Sequence, residues 1–453
     1  MSTDKVDTQK AAGLIFRLED KPPFGPSLLA ATQHLLAALI AIVAPTLIIG
    51  NALELDDYLP YLVSMALFVS GVGTYIQSKT IGPVGSGLLT LQGTSFTFVP
   101  AIIAAGMAVK TDGGAPEDIL AMIVGLTLAG SLLPIVLSRF IDVFRRVITP
   151  TTTGSIITIV GLSLIALSMK DMAGIDDNGA AQNAAGLWTG LFVIVVIVAL
   201  SFAPNAIVRM AAILTGIIAG CALAGFLGMI DTSAADTQTL VVVPIPFRFG
   251  IDFSLTYFLP IMLIYLVTIV EAVGDMTANS VIVGEPIKGD TYMRRIRAGV
   301  LGDGVSSAIA SVFGTFPNTT FSQNNGVIQI TGIGSRHIAI YLSLLLVAAG
   351  LIPFIGNLLT LIPRPVLGGA TLIMFASIAV AGIRILSCEP FTRKRIYVIS
   401  LSLGFGLGVA LVPEALQPLP EVLQRIFGSP ITTTGIVAVL SSLVIPDTVP
   451  EGT

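Results

Sequence analysis

Charged residues are scarce in this chain of 453 residues: Asp, Glu, Lys and Arg together account for 11% of it. A soluble globular domain carries about 25%, so this chain cannot cover an aqueous surface with polar groups. Hydrophobic residues make up 54%, the mean hydropathy is +0.92, and apolar runs recur from about Ser27 to Pro446. The composition therefore excludes an ordinary soluble domain and predicts a membrane protein.

Cysteine, histidine and net charge are also low, and each shortage excludes a class of site. Cys221 and Cys388 lie in or beside apolar runs without metal-ligand spacing, so we expect no disulfide framework, metal or cofactor. The net charge of −4 gives no support for a nucleic-acid partner. Residues 1–26 are polar and lack the apolar region of a cleavable signal. The first apolar span is therefore expected to act as the insertion signal.

The apolar runs predict fourteen membrane spans. A helix needs about 20 apolar residues to cross the hydrocarbon core. Clear candidates are 27–51, 58–77, 117–138, 147–169, 185–203, 209–230, 252–278, 296–315, 336–355, 359–385, 393–412 and 430–446. Two further stretches, 84–107 and 317–334, are apolar but interrupted by Pro, Gly, Ser and Asn. We count them as broken spans 3 and 10.

The basic residues support this count and orient the chain. With the N-terminus in the cytoplasm, 18 of the 23 Lys and Arg residues fall on the cytoplasmic side, as the positive-inside rule expects. The acidic loops at 54–57 and 171–177 then lie outside. Both termini are predicted to be cytoplasmic.

Spans seven apart share features, which favours two inverted seven-span repeats. Pro150-Thr-Thr-Thr-Gly154 opens span 5 and Pro365-Val-Leu-Gly368 opens span 12, while the broken spans are the third and the tenth. Interrupted segments at matching positions of two halves point to a transporter's binding site. The alternative is that Gly and Pro are simply common in membrane helices. We predict an all-α polytopic membrane protein with 14 transmembrane segments.

Three acids lie within apolar spans: Glu271 and Asp275 in span 8, and Asp303 in span 9. Each costs about 2.5–3.5 kcal/mol at a helix centre. Glu271 and Asp275 are four residues apart and share one helical face. An acid that can hold a proton there is what a proton-coupled carrier needs. The alternative is a structural acid bonded to the backbone of a broken helix.

The broken spans carry polar groups and aromatic rings that a polar solute could use. Span 10 contains Gln323, Asn324 and Asn325 in succession, which a helix facing lipid would not carry. Phe96 and Phe321 could stack on a planar ligand, although aromatic residues in membranes are usually packing residues. His34, alone among apolar residues of span 1, is likewise either a packing residue or a contact to substrate or Asp303.

At this point the chain resembles a known family. Gln323-Asn-Asn-Gly-Val-Ile-Gln-Ile-Thr331-Gly matches the signature Gln-Asn-x-Gly-x-x-x-x-Thr-Gly of the nucleobase–ascorbate transporter family, also called nucleobase–cation symporter family 2. Further motifs lie in the family's order: Gln33-His-Leu-Leu, Gln92-Gly-Thr-Ser-Phe, Glu271-Ala-Val-Gly-Asp and Pro365-Val-Leu-Gly-Gly-Ala-Thr. Residues 17–23 and 82–87 resemble bacterial xanthine permeases in particular.

The resemblance implies a core domain that slides against a gate domain, an elevator-type mechanism. A cytoplasmic segment would comprise 1–26. The core would comprise spans 1–4 and 8–11, and the gate spans 5–7 and 12–14, with boundaries at 27–140 and 252–355 for the core and 147–230 and 359–446 for the gate. The family also implies a homodimer in the bacterial cytoplasmic membrane, in contact with membrane lipid.

The resemblance also assigns roles to residues. Glu271 and Gln323 would hold a purine edge with their side chains. Ser95, Phe96 and Ser322 would contribute backbone groups, and Phe96 and Phe321 would border the ligand. The positions matching proton coupling or site support are Asp303, Asp275, His34, Asn324 and Thr331.

The substrate expected from these residues is an oxidised purine, with xanthine favoured and protons as the coupling ion. A carboxylate accepts from N–H, whereas an amide both donates and accepts, so Glu271 and Gln323 fit xanthine's alternating edge. Uracil-type relatives tend to carry Glu at position 323 and His at 275. Ser95, where many xanthine permeases have Asn, leaves uric acid open.

Three alternatives remain: a broader purine or uracil permease, an intramembrane enzyme using Glu271 and Asp275 as an acid–base pair, and an anion carrier or channel of similar fold. The enzyme would need a nucleophile or a metal cluster, and the anion carrier a cation facing the half-helix ends. The sequence offers none of these beside the acids.

Overall fold

The computed structural model describes most of the chain. The described residues are 14–141, 149–174, 184–205, 208, 211–229, 242–287, 289–321, 323–352, 361–387, 389–420, 423–424, 427–428 and 430–446.

Fourteen α-helices lie wholly within these residues, and each predicted span overlaps one of them. They are α1 (Phe24–Ala52), α2 (Leu59–Lys79), α3 (Val99–Thr111), α4 (Pro116–Leu137), α5 (Pro150–Ala173), α6 (Ala184–Ser201), α7 (Ala212–Phe226), α8 (Leu255–Val283), α9 (Gly289–Val312), α10 (Gln323–Thr331), α11 (Ile338–Leu351), α12 (Arg364–Leu386), α13 (Arg393–Leu411) and α14 (Pro430–Val444).

The lengths and composition of these helices make the chain a polytopic, mainly helical membrane protein. Eight candidate spans among the described residues are long and apolar enough to cross a bilayer, and four more apolar helices are shorter. The number that actually cross stays a prediction. α9 begins seven residues before its predicted span, because its first turns are polar and carry Arg294, Arg295 and Arg297. Those turns extend beyond the apolar stretch from which the span was predicted.

The two broken spans meet through short β-strands, which the sequence did not predict. β1 (Gln92–Thr94) pairs antiparallel with β2 (Asn318–Thr320), so that Gly93 lies opposite Thr319. A one-turn 3-10 helix, Phe96–Phe98, follows β1 and leads into α3. Backbone groups within a bilayer have no water to bond, and this pairing supplies the partners that an interrupted helix gives up.

The helices pack in two groups. α2 contacts α11, and α4 contacts α9. α1 contacts α11, and α8 contacts α4. We call α1–α4 and α8–α11, together with β1, β2 and the residues that follow them (92–98 and 318–321), the core helices. α5 contacts α12, α6 contacts α7 and α13 contacts α14; we call α5–α7 and α12–α14 the gate helices. The most extensive contact among the gate helices is between α5 and α12, and the backbones of these two helices approach each other closely. A Cβ added at Gly382 would lie 2.4 Å from the backbone nitrogen of Thr158.

The segment before α1 is attached to the loop that follows α10. We call residues 15–20 the N-terminal strap. The Ile15 amide donates to the Gly332 carbonyl at 2.7 Å, and the Gly334 amide donates to the Phe16 carbonyl at 2.9 Å. Leu18 is buried, and Glu19 forms an ion pair with Arg336 at 2.6 Å. The strap is therefore fixed to the core helices.

Candidate functional site

A cavity of about 1070 Å³ lies between the core helices and the gate helices. The core helices contribute most of its polar lining. The residues that border it there include Ser95, Phe96, Thr97, Glu271, Gly274, Asp275, Ala278, Thr319, Thr320 and Phe321. The gate side is mainly apolar, with Pro150, Ile157 and Ile378, although Arg384 and Glu389 line the cavity as well. Arg384 lies in the last turn of α12.

Glu271 lines this cavity from the middle of α8. The Thr97 hydroxyl lies 3.0 Å from Oε1 and 3.1 Å from Oε2 of Glu271. This contact joins the turn after β1 to α8. Because Glu271 remains partly accessible from the cavity, its other lone pairs can accept hydrogen bonds from a ligand.

Asp275 lies one helical turn beyond Glu271 on the same face and also lines the cavity. The prediction that the two acids share a face is confirmed by their positions on α8. The Asp275 backbone carbonyl accepts from the Asn325 amide at 3.1 Å, so α8 and α10 are joined beside it.

Asp303 is buried behind the cavity, at 6% exposure. Its Oδ1 accepts from the side-chain amides of Gln77 and Gln92, each at 2.8 Å, and its Oδ2 accepts from the Thr319 hydroxyl at 3.1 Å. Gln77 is itself held, since its Oε1 accepts from the Ser86 amide at 3.0 Å. The network connects α2, β1, α9 and β2.

Asn324 and Asn325 bind protein backbone and side chains rather than lining the cavity. The Asn324 side-chain amide donates to the Leu89 carbonyl. The Asn279 amide donates to the same carbonyl and to Asn325 Oδ1, each at 2.9 Å. These bonds hold the segment before β1 between α8 and α10.

The two predicted aromatic residues differ in their surroundings. The Phe96 ring meets Phe375 of α12 edge-on, with centroids 5.2 Å apart, across the boundary between core and gate helices. The Phe321 ring packs on Gly93, where an added Cβ would lie 2.7 Å from Phe321 Cζ. Both rings border the cavity, so each is a packing residue and a wall of the cavity at once.

Ser95 lines the cavity, but its backbone N–H is already used. It donates to the Pro317 carbonyl at 3.1 Å, and the Ser95 hydroxyl accepts from the Thr97 amide at 3.3 Å. A ligand contact through the Ser95 backbone N–H would have to replace the Pro317 bond.

His34 and Thr331 lie away from the cavity lining. His34 is buried close to Asn324, although no described residue gives either ring nitrogen a well-formed hydrogen bond. The Thr331 hydroxyl donates to the Val327 carbonyl of its own helix at 2.8 Å. Ser322 lies outside the described residues, and so does the side chain of Gln323, whose backbone begins α10.

Sequence reasoning missed three polar residues of this region: Thr97, Gln77 and Asn279. Gln77 and Asn279 are amides near the ends of otherwise apolar helices. A polar side chain in such a position indicates a buried hydrogen-bonding role, so the sequence could have predicted these two residues. Thr97 had no such signal, because Thr is common in broken spans.

Comparison with known proteins identifies a permease family and several bacterial xanthine permeases as relatives of this chain. A family profile described as "Permease family", Xan_ur_permease, matches residues 25–415. The xanthine permease XanP of Escherichia coli is 43% identical over 441 residues, which are 96% of this chain and 95% of XanP. XanQ of the same organism is 41% identical over 437 residues, 96% of this chain and 94% of XanQ. A xanthine permease of Bacillus subtilis is 31% identical over 423 residues, 92% of this chain and 91% of the relative.

Solved structures of low identity share the fold. The murine anion transporter Slc26a9 in its inward-facing state gives a TM-score of 0.64 at 15% identity, covering 98% of this chain and 72% of that one. The transmembrane domain of the cyanobacterial bicarbonate transporter BicA gives 0.56 at 12% identity, covering 94% of this chain and all of that one. At such identities the likeness concerns the fold alone.

Proposed function

Because this chain belongs to the Xan_ur_permease family, we propose that it carries xanthine across the bacterial cytoplasmic membrane in symport with protons. Membership of a permease family makes it a transporter and not the intramembrane enzyme considered from Glu271 and Asp275. The observation that carries the proposal is the Glu271 carboxylate, held at the wall of a cavity between two helix groups and partly accessible from it.

The chemistry of the cavity suits an oxidised purine. Xanthine presents N–H and C=O groups along its edge, and Glu271 accepts from N–H. Gln323 is the proposed second contact. Phe96 and Phe321 border the same space and provide faces for a planar ring. Uric acid, or a broader range of purines and uracil, is the alternative, since Ser95 does not separate these ligands.

Helix packing supports fourteen spans in two inverted repeats. A helix of one half corresponds to the helix numbered seven higher in the other half. The contact between α2 and α11 therefore corresponds to the contact between α9 and α4, and the contact between α6 and α7 corresponds to that between α13 and α14. The pair α5 and α12 maps onto itself. Such recurrence is what an inverted repeat related by a two-fold axis produces.

The division of polar groups supports an elevator-type movement. Glu271, Asp275 and Thr97 all belong to the core helices, whereas Ile157 and Ile378 of the facing gate helices are apolar. The core helices can therefore carry these polar groups together past a mainly apolar gate side, on which Arg384 and Glu389 are the charged lining residues. In this proposal the core and gate helices are the two moving domains.

The proposal places the protein in contact with lipid and, as a homodimer, with a second copy. Large apolar side chains such as Trp188 on α6 and Phe405 on α13 are exposed on the gate helices, where lipid tails or a partner would cover them. Both termini lie in the cytoplasm in this proposal.

Uptake of radiolabelled xanthine tests the substrate. Cells that make the protein should take up xanthine well above empty-vector cells, and excess unlabelled xanthine should compete more strongly than uric acid, guanine, hypoxanthine or uracil. Uptake equal to the vector control would refute the proposal. Stronger competition by uric acid than by xanthine would make uric acid the preferred substrate.

Asp303→Asn tests proton coupling. Asparagine reproduces the neutral acid: its Oδ1 can still accept from Gln77 and Gln92, and its Nδ2 can donate to the Thr319 oxygen. We therefore expect normal insertion, loss of gradient-driven accumulation by about tenfold or more, and retained exchange of internal for external xanthine. The comparison uses membrane vesicles with and without an imposed pH gradient.

Two results would contradict this assignment. If the wild-type protein accumulates xanthine equally after a protonophore collapses the gradient, protons do not drive uptake. If Asp303→Asn loses exchange as well as accumulation while remaining inserted, Asp303 supports the site and is not the coupling acid.

A further inference from the structure

The Thr97 hydroxyl is directed to a different partner from that of several threonine hydroxyls in the described helices. Thr127, Thr277 and Thr371 each donate to the carbonyl four residues earlier in their own helix, the usual bond of a buried helical threonine. Thr97 lies in the one-turn helix after β1, where the residue four positions earlier is Gly93 of the strand. Its hydroxyl instead reaches across to Glu271 on α8.

The Thr97 hydroxyl uses only part of the hydrogen-bonding capacity of Glu271. It is nearly equidistant from both Glu271 oxygens, at 3.0 and 3.1 Å, so its single hydrogen is shared between them. A carboxylate has about four lone-pair directions, and one shared hydrogen leaves acceptor capacity for donors that enter the cavity.

From this geometry we propose that Thr97 is a positioning residue for substrate recognition, acting through Glu271. This inference rests on the proposed function. A glutamate side chain has several rotatable bonds, and holding it in the binding orientation before the ligand arrives reduces the ordering cost of binding. Thr97 itself is fixed, because its backbone N–H donates to Ser95 and its side chain is buried.

A hydroxyl suits this task better than an ammonium group, which can only donate. It donates to a carboxylate and accepts from a protonated carboxylic acid. The contact with Glu271 therefore survives in either protonation state, and the side chain keeps its orientation if a proton is taken up during transport.

The test compares Thr97→Val, which keeps the shape and removes the hydroxyl, with Thr97→Ser, which keeps the hydroxyl. Loss of a hydrogen bond to a charged group predicts a rise of about tenfold in KM for uptake, with the maximal rate within about twofold of wild type. Thr97→Ser should retain a KM within about twofold. Thr97→Ala, which has a smaller side chain and also lacks the hydroxyl, repeats the measurement if valine lowers the amount of inserted protein.

Thr46→Val is the matched control. Thr46 is a buried threonine of α1 whose hydroxyl has no hydrogen-bond partner among the described residues, so its loss should leave KM unchanged. Unchanged KM in Thr97→Val, or an equal rise in Thr97→Ser, would overturn the proposal. The KM ratios are measured with whichever nucleobase of the competition panel the wild-type protein takes up fastest. The role of Thr97 is therefore tested even if that nucleobase is not xanthine, and wild-type uptake of xanthine tests the proposed function separately.

Discussion

Glu271→Gln is expected to lower the initial rate of xanthine uptake by about 100-fold while the protein inserts normally. Glutamine keeps the size of the side chain and can still accept from Thr97 through one oxygen. Its amide nitrogen, however, replaces the second carboxylate oxygen of Glu271. A purine N–H would then meet a hydrogen-bond donor where the wild-type protein has an acceptor. A buried group left without its partner costs about 1–3 kcal/mol, and each 1.4 kcal/mol is tenfold in binding. Radiolabelled uptake, normalised to the amount of protein in the membrane, measures the effect.

The matched control is Glu54→Gln, the same substitution at the surface. Glu54 pairs with Lys110 at 2.6 Å and is well exposed. Because an exposed ion pair contributes about 0–1 kcal/mol, uptake should stay within about twofold of wild type. If Glu271→Gln transports xanthine as well as this control does, Glu271 is not part of the binding site.

Gly382→Val is expected to prevent proper assembly of the gate helices. The added Cβ would lie 2.4 Å from the Thr158 nitrogen and 2.5 Å from its hydroxyl oxygen, so α5 and α12 would have to move apart at this crossing. Overpacking costs about 1–3 kcal/mol and more where backbone must move. We expect less monodisperse protein in detergent, a melting temperature lower by about 5 °C or more, and loss of uptake.

Gly408→Val provides the comparison, with the same substitution on α13. No atom lies within 4 Å of a Cβ placed at Gly408, so yield, melting temperature and uptake should match the wild-type protein. Equal behaviour of the two valine variants would show that α5 and α12 tolerate separation, contrary to the close approach described here.

The sequence predicted the broken spans but not how they meet. Pro, Gly and the Gln-Asn-Asn run mark the interruptions, because those residues are unfavourable in a helix facing lipid. The strand pairing joins Gln92 to Thr320, and nothing local in either segment specifies a partner so distant in the chain. The prediction therefore described two irregular helices where the structure has a small sheet flanked by helices.

The candidate site shows the same limit. Glu271 and Asp275 could be placed on one face because four residues make about one helical turn. The partners of the acids could not be found this way. Gln77 is 226 residues from Asp303, and Thr97 is 174 residues from Glu271. Such contacts depend on tertiary packing, which periodicity does not encode.

The N-terminal strap would make the proposed movement of the core helices measurable with labels placed away from the binding site. Arg17 is exposed, while the strap around it is hydrogen-bonded to the loop after α10. A fluorophore at position 17 would therefore travel with the core helices, whereas one at the exposed position of Trp188 on α6 would stay with the gate helices. Energy transfer between the two dyes would follow single transport cycles in real time, without placing a label in the binding site.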